Sequence, residues 1–226
     1  MSNFLQLVQT VHRECSVSGE APGSVANQSG LLAKIVNWTA DAAYEIEALH
    51  GDWNFMWSQH GDDMIIGNST YSPPITLGEW DRESFYLNYT TSGYKKLTEV
   101  SYRDWRDRMR NGVQTNSKPS YFAILPDKSI ALYPVPDAVY TMTADFWARP
   151  ERMESNLDSS NIPVQYERVI ITAAKAKYAE DRGDELMLMN AQQEFLYWLE
   201  KLEAGELPGQ ERRRKSTPEA MVVIPE

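Results

Sequence analysis

Two His-Gly-Asp triplets, His50-Gly51-Asp52 and His60-Gly61-Asp62, are the residues whose types first indicate chemistry. Histidine and aspartate are ligands for zinc or iron, so these triplets point to a metal-dependent hydrolase as one alternative. Neither triplet has the His-x-x-x-His spacing that places two ligands on one helix face, and no third histidine lies nearby. Gly-Asp after a helix is also ordinary turn chemistry. We therefore expect no metal ligands here.

Cys15 and His12 are a second pair that could act as nucleophile and base. They lie three residues apart on one predicted helix, and no third side chain is identified to orient the histidine. The chain has no Gly-x-Ser-x-Gly motif, no phosphate-binding loop and no Rossmann glycine pattern. We expect a protein that is not an enzyme, with no catalytic residue and no cofactor.

Trp53, Phe55 and Trp57 form an aromatic cluster directly after the second predicted helix. Such a cluster is typical of a plug that closes the end of a helical core, which is the interpretation we favour. The alternative is a stacking platform in a carbohydrate- or nucleic-acid-binding module. The neighbouring charges are acidic, which disfavours binding of a phosphate backbone.

Composition narrows the class of protein further. The 226 residues carry a net charge of -10, which argues against non-specific adhesion to nucleic acid. A single cysteine excludes an intrachain disulfide framework and a cysteine-based zinc cluster. The start of the chain lacks the pattern of a signal peptide, and no window is apolar enough for a membrane span. We expect a soluble protein made in a reducing cytosol, and the 11% aromatic content keeps an assembly role open.

Helices are predicted where apolar residues recur every three to four positions. These segments are residues 3–15, 31–50, 164–182 and 184–204, with a short helix at 102–110. The last two are joined so tightly at Gly183 that an antiparallel hairpin is the simplest geometry.

Residues 118–150 give the clearest strand pattern in the chain. Three apolar segments, 121–125, 130–133 and 139–147, are separated by proline and aspartate turns, which predicts an antiparallel meander. Shorter strand-like segments precede it at 64–66, 75–77 and 85–87.

The predicted fold class is α+β and mainly helical: a bundle of about four helices with an inserted antiparallel β region and an extended C-terminal arm. The expected divisions are 1–60 for the N-terminal helices, 61–150 for the inserted region, 151–204 for the helical hairpin and 205–226 for the arm. The arm is either a frayed terminus or a segment that adds a strand to a partner's sheet edge.

The order of these parts resembles the adaptor (head-completion) proteins of tailed bacteriophages. The matching segments are FLQLVQTVHREC, IVNWTADAAYEIEALHGDWNFM, KPSYFAILPDKSIALYPVPDAVYTMTADFWARP, NIPVQYERVIITAAKAKYAEDRGD and NAQQEFLYWLEKL. The Pro-x-Tyr start, the LYPVPD turn and the Ile-Pro start of an alanine-rich helix are the most specific of them. The resemblance covers residues 1–204, most weakly from 61 to 98.

This resemblance implies a structural virion protein at the head-to-tail interface, made in the bacterial host cytoplasm. It implies a ring of twelve copies beneath the portal protein, with neighbouring copies, the portal and a tail, nozzle or tail-completion protein as partners. Genomic DNA would pass through the lumen without specific binding, and no membrane is involved. The arm would bind the portal through Arg212, Arg213, Arg214, Lys215, Met221, Val222, Val223 and Ile224. The tail-facing β region would present Tyr121, Tyr133, Tyr140 and Trp147.

Overall fold

The structure, a computed structural model, describes residues 2–89, 93–112 and 115–207. The chain divides into two compact units. The helical unit combines Met1–Phe55 with Pro150–Glu226, and the β unit is Met56–Arg149. In the described residues, no helix is long and apolar enough to cross a membrane.

Four long helices build the helical unit. They are α1 Phe4–Glu14, α2 Gly30–Ala48, α4 Arg168–Arg182 and α5 Glu185–Glu206. Helix α3, Tyr102–Asp104, is short and belongs to the β unit. Short 3-10 turns at Asn54–Met56 and Val164–Tyr166 precede the β unit and α4.

Three of these helix ends are capped by residues that sequence preference favours. At α1, the Asn3 side chain accepts a hydrogen bond from the Gln6 N–H (2.9 Å), and the Gln6 side chain accepts one from the Asn3 N–H (3.0 Å). Gly183 ends α4 with φ +68°, a left-handed conformation that glycine adopts without strain. The Asp184 side chain then accepts from the Met187 N–H at the start of α5.

Helix α4 is the central helix of this unit, because it contacts α1, α2 and α5. Its buried residues pack with apolar residues from the inner faces of α1 and α2. The Arg168 guanidinium also joins the helices, since it donates to carboxylates of Glu14 on α1 and Glu194 on α5.

Nine strands occur among the described residues of the β unit. They are β1 Trp57–Asp63, β2 Thr70–Tyr71, β3 Leu77–Trp80, β4 Tyr86–Asn88, β5 Tyr94–Lys96, β6 Thr98–Glu99, β7 Tyr121–Ile124, β8 Ile130–Tyr133 and β9 Thr141–Ala148. Helix α3 continues as a π-helical segment, Trp105–Arg110, with the Ser101 side chain as its N-cap.

Two sheets enclose the core of the β unit. One has the order β1-β9-β4-β5 with β3 also paired to β9, and the other has the order β2-β8-β7-β6. A cluster of buried apolar side chains from both sheets, including the stacked rings of Phe85 and Phe122, forms one core. A smaller cluster packs Trp105 of the π-helical segment against Ala123 and Ala131.

The expectation of a mainly helical bundle is wrong. The fold is α+β: the described part of the chain has five helices and about nine strands in two sheets, 41% helical and 19% strand. The middle of the chain has its own two-sheet core and is therefore more than an insertion on a bundle. The β region is not wholly antiparallel either, because β6 pairs with β7 in parallel.

The predicted meander is also wrong in its last step. Strands β7 and β8 form a hairpin, but β9 joins the other sheet and pairs with β1, β3 and β4. Strand β8 already pairs with β7 on one edge and with β2 on the other, so it has no free edge for β9. The chain therefore crosses to the second sheet.

Candidate interaction surfaces

The two histidines considered for metal chemistry make other contacts and lie in different units. The His50 Nε2 atom lies 3.0 Å from Glu203 Oε1 within the helical unit. The ring of His60 packs edge-on against Trp80 in the β unit, with centroids 5.8 Å apart. Over the residues with described positions, no group of three His, Cys, Asp or Glu side chains is arranged to hold a metal ion.

Cys15 and His12 are both buried at the end of α1. Burial is the main cause that raises the pKa of the Cys15 thiol to about 11, with smaller effects from Lys175 and Glu14. The thiol is therefore protonated at neutral pH, while the nucleophile of cysteine chemistry is the thiolate. This environment is that of a structural cysteine.

The aromatic cluster is divided between the two units. Trp53 is fully buried, stacks on Phe55 at 5.2 Å and donates its indole N–H to the Ile46 carbonyl (3.3 Å). Trp57 lies in β1, where it is 50% exposed and stands opposite Trp147 of β9. Trp53 therefore serves the helical core and has no exposed ring face on which a base or sugar could stack.

The four aromatic residues expected on the tail-facing β region lie in different environments. Tyr121 is 39% exposed and faces Tyr133 across the β7–β8 pair. Tyr133 borders a cavity of about 160 Å³ shared with Trp105 and Leu132. Tyr140 is buried and donates its hydroxyl to Asp137 (2.7 Å). Trp147 is half-buried on the first sheet.

The other set of expected site residues belongs to the arm. Arg212, Arg213, Arg214, Lys215, Met221, Val222, Val223 and Ile224 lie outside the described residues.

Helix α5 carries an apolar surface that the sequence interpretation missed. Only Ala191 and Leu202 of its 22 residues are buried. Four large apolar side chains on it are exposed: Leu186 (71%), Met189 (59%), Leu196 (62%) and Tyr197 (52%). Their spacing places them within an arc of about 100° on the side of the helix away from Ala191 and Leu202. We call these four residues the α5 outer face.

Two more exposed apolar side chains lie near the end of α2. Tyr44 is 44% exposed and Leu49, the C-cap residue, is 52% exposed. They are five positions apart, which is about 140° around a helix, so they flank its buried side and do not share one face. The α5 outer face is therefore a larger and more continuous apolar surface than this pair.

The sequence did contain a signal for the α5 outer face. Apolar residues occupy two sides of this helix: one side has Ala191 and Leu202, and the opposite side has Leu186 and Met189. A helix that covers only one side in its own unit has a single apolar stripe. The second stripe indicates a partner outside the unit.

Comparison with known protein families gives one match. The family model described as SU10 adaptor protein matches residues 2–222 of the chain. A search of curated proteins found no match.

Proposed function

Because the chain belongs to the SU10 adaptor protein family, a family of phage head-to-tail adaptors, we propose that it forms a ring of identical copies between portal and tail. The family is structural, and its members are viral proteins of the virion. On this proposal the ring extends the DNA channel and offers the surface to which the tail attaches. The number of copies we propose is twelve.

The observation that carries this proposal is the α5 outer face. Monomeric proteins rarely leave several large apolar side chains exposed together on one helix side, and such surfaces are typical of protein–protein contacts. Covering one large aliphatic side chain contributes about 1.5–3 kcal/mol. A row of four on α5 is therefore enough for a substantial contact with a neighbouring copy.

A closed ring needs two different surfaces on every copy, because each copy contacts its two neighbours through opposite sides. We propose that the α5 outer face supplies one of these two surfaces and covers a different surface of the next copy.

The charge of the chain fits the channel role. With a net charge of -10, the protein repels the phosphate backbone, so DNA would pass through the lumen without binding to it. The basic run Arg212–Lys215 is the exception in this acidic chain, and with Met221–Ile224 it forms the arm that we propose attaches to the portal.

The test of the ring is the sedimentation mass of the protein alone and mixed with the portal protein of the same phage. The double variant Met189→Glu with Leu196→Glu places two charges in the α5 outer face, and we expect its assembly on the portal to fall at least tenfold. The control is Leu157→Glu, since Leu157 is an 82% exposed leucine of the helical unit outside α5. Assembly of the double variant at the level of this control would overturn the role of α5.

Truncation after Leu207 tests the arm in the same experiment. Every helix in the described part of the chain ends before this point, so we expect the shortened chain to keep its fold. We expect it to lose binding to the portal while its unfolding midpoint stays that of the full chain. Unchanged portal binding would overturn the role of the arm, and a full-length chain that adds no mass to the portal would overturn the adaptor ring itself.

A further inference from the structure

A tight turn between β1 and β2 presents aliphatic side chains to solvent. Ile65 is 64% exposed and Ile66 is 58% exposed, although the sequence pattern predicts a strand with these residues at 64–66. The Asn68 N–H donates to the Ile65 carbonyl (3.0 Å), and Gly67 has φ +80° between them. This is the pattern of a type II turn, in which glycine at the third position is favoured.

Hydrogen bonds to Tyr71 and Pro136 hold this turn in one shape. The hydroxyl of Tyr71, a residue only 5% exposed, donates to the Asn68 carbonyl (2.8 Å) and accepts from the Ile65 N–H (3.1 Å). The Gly67 N–H donates to the Pro136 carbonyl (2.9 Å). The turn is therefore tied both to β2 and to the segment that precedes β9.

A third aliphatic residue joins the two isoleucines. Strand β1 ends with Asp63 opposite Thr141, and the Met64 N–H donates to the Tyr140 carbonyl (2.7 Å). Extending this antiparallel register by one step would place Val139, which is 59% exposed, opposite Ile65. We call Ile65, Ile66 and Val139 the aliphatic tip.

Fixed aliphatic side chains on a turn are suited to binding, because little conformational freedom is lost when a partner covers them. A few such anchors that fill pockets carry most of the affinity in protein interfaces. The turn that holds the tip uses a buried tyrosine and a glycine at positive φ, so its shape exists before any partner arrives.

The charges near the tip define the chemistry of the partner. Asp62 and Asp63 precede Ile65, and Asp137 precedes Val139. Asp63 and Asp137 are exposed, and their carboxylates accept hydrogen bonds from Thr141 and Tyr140. A cation, Lys118, lies over the ring of Tyr89, which packs on Tyr140. The carboxylates favour a partner with Lys or Arg around an apolar pocket and disfavour a second copy of this acidic chain.

We propose that the aliphatic tip inserts into an apolar, Lys- or Arg-rimmed pocket on the virion protein that follows the adaptor ring toward the tail. This inference rests on the proposed function, because it takes the helical unit as the part that contacts other copies and the portal. The tip then gives the β unit a contact of its own.

The test is binding of adaptor rings, assembled on the portal, to the purified tail-side protein of the same phage. We expect Ile66→Asp and Ile65→Asp each to raise the dissociation constant at least tenfold. The matched control is Ile75→Asp, because Ile75 is 85% exposed and lies next to β3, which pairs with the opposite end of β9 from the tip. This control should bind as the wild type does.

Two further variants separate the parts of the contact. Ile66→Asn removes the aliphatic group without adding charge, and it should weaken binding nearly as much as Ile66→Asp. Tyr71→Phe leaves the tip residues in place but removes the hydroxyl that holds their turn, so we expect a few-fold weaker association. Raising the salt concentration should weaken wild-type binding as well, since the pocket rim is expected to be basic.

Ring assembly, followed by sedimentation, is recorded for each variant. Intact rings that lose the tail-side protein only in the tip variants would support the inference. Tip variants that bind as the wild type does, or wild-type rings that do not bind the tail-side protein, would overturn it and leave the ring standing. Tip variants that fail to form rings would make the tip a contact between copies, which also overturns the inference. Absence of rings from the wild type would instead count against the proposed function.

Discussion

Helices α4 and α5 form one hairpin but differ sharply in what surrounds them. Helix α4 has seven buried residues among 15, whereas α5 has two among 22. The difference follows from position, because α4 contacts α1, α2 and α5, while α5 has α4 as its principal neighbour. The longer helix is thus the one that the fold covers least.

This contrast separates residues that specify the fold from residues left for a partner. Small side chains such as Ala174 and Ala179 let other helices approach α4 closely, and both are fully buried. Helix α5 instead keeps Leu186 and Leu196 in solvent, where they contribute little to the stability of one copy. Substitutions in the two helices should therefore have opposite patterns of effect.

The largest effect is expected from truncating an apolar side chain in α4. Ile170 is fully buried, so Ile170→Ala should lower the free energy of unfolding by about 2–5 kcal/mol through lost burial and a cavity. Leu196→Ala in α5 removes a side chain that is 62% exposed and should cost less than about 0.5 kcal/mol. Denaturant unfolding of the two variants measures the free energy that each loses. Similar losses in both would contradict the interpretation that the α5 outer face is uncovered in a single copy.

A smaller effect is expected from replacing Glu47, a buried carboxylate on α2, which also contacts α4. Glu47 is 1% exposed and accepts hydrogen bonds from the Ser160 hydroxyl (2.8 Å) and the Asn161 N–H (2.9 Å). Glu47→Ala leaves these donors unpaired and should lower the free energy of unfolding by about 1–3 kcal/mol. If Glu47→Ala lost less stability than Leu196→Ala, then residues 150–162, which lie between β9 and the 3-10 turn before α4, would not depend on Glu47 for their position.

The pH dependence of stability gives a separate test of this site. Burial raises the pKa of Glu47 above its ordinary value of 4.5, against the opposing effect of the hydrogen bonds from Ser160 and Asn161. The folded state then holds the proton more tightly than the unfolded state, so this group makes stability fall as pH rises from 4.5 through the raised pKa. Glu47→Gln should remove that part of the pH dependence, which unfolding curves between about pH 4 and 8 would detect. If the stability of the wild type and that of Glu47→Gln changed with pH in the same way, the raised pKa of Glu47 would be contradicted.

The smallest effect is expected at the surface contacts between α2 and α4. Lys177 and Glu45 are joined at 2.6 Å, but Glu45 is 59% exposed and solvent screens the pair. A double-mutant cycle with Lys177→Ala and Glu45→Ala should give a coupling of about 0.2–1 kcal/mol. A coupling as large as the loss in Ile170→Ala would mean that surface charge, rather than burial, holds α4 in place.

The helices could be predicted from sequence because their hydrogen bonds and apolar spacing are local. The prediction of residues 3–15 is confirmed by α1 at Phe4–Glu14, and that of 31–50 by α2 at Gly30–Ala48. The hairpin of α4 and α5 follows from Gly183 and the Asp184 cap. In each case the signal lies within a few residues of the element it specifies.

Strand pairing was not predictable in the same way. Strand β1 reads WSQHGDD, which has no apolar alternation, and its residues are alternately exposed and half-buried. It is held by seven register positions with β9, far away in the sequence. The apolar pattern of β9 predicted a strand but carried no information on its partner. Such partners depend on the whole fold rather than on one segment.

The candidate surfaces were the hardest part to predict. An aliphatic segment such as Ile65-Ile66 predicts burial in a strand, yet it lies in a turn because Gly67 and Tyr71 fix the chain there. Leu196 and Leu202 are both leucines of the predicted helix 184–204, but they lie on different sides of α5, one exposed and one buried. Apolar residues alone do not reveal whether their cover comes from the same chain or from another.

The pairing of β1 with β9 has a consequence for how this protein can be altered. Trp57, at the start of the β unit, stands directly opposite Trp147, near its end. Opposite residues of an antiparallel pair have Cα atoms about 4.5–5.5 Å apart, so the chain enters and leaves the unit at adjacent points. A short linker that replaced residues 58–146 would therefore need to span only this strand-to-strand distance.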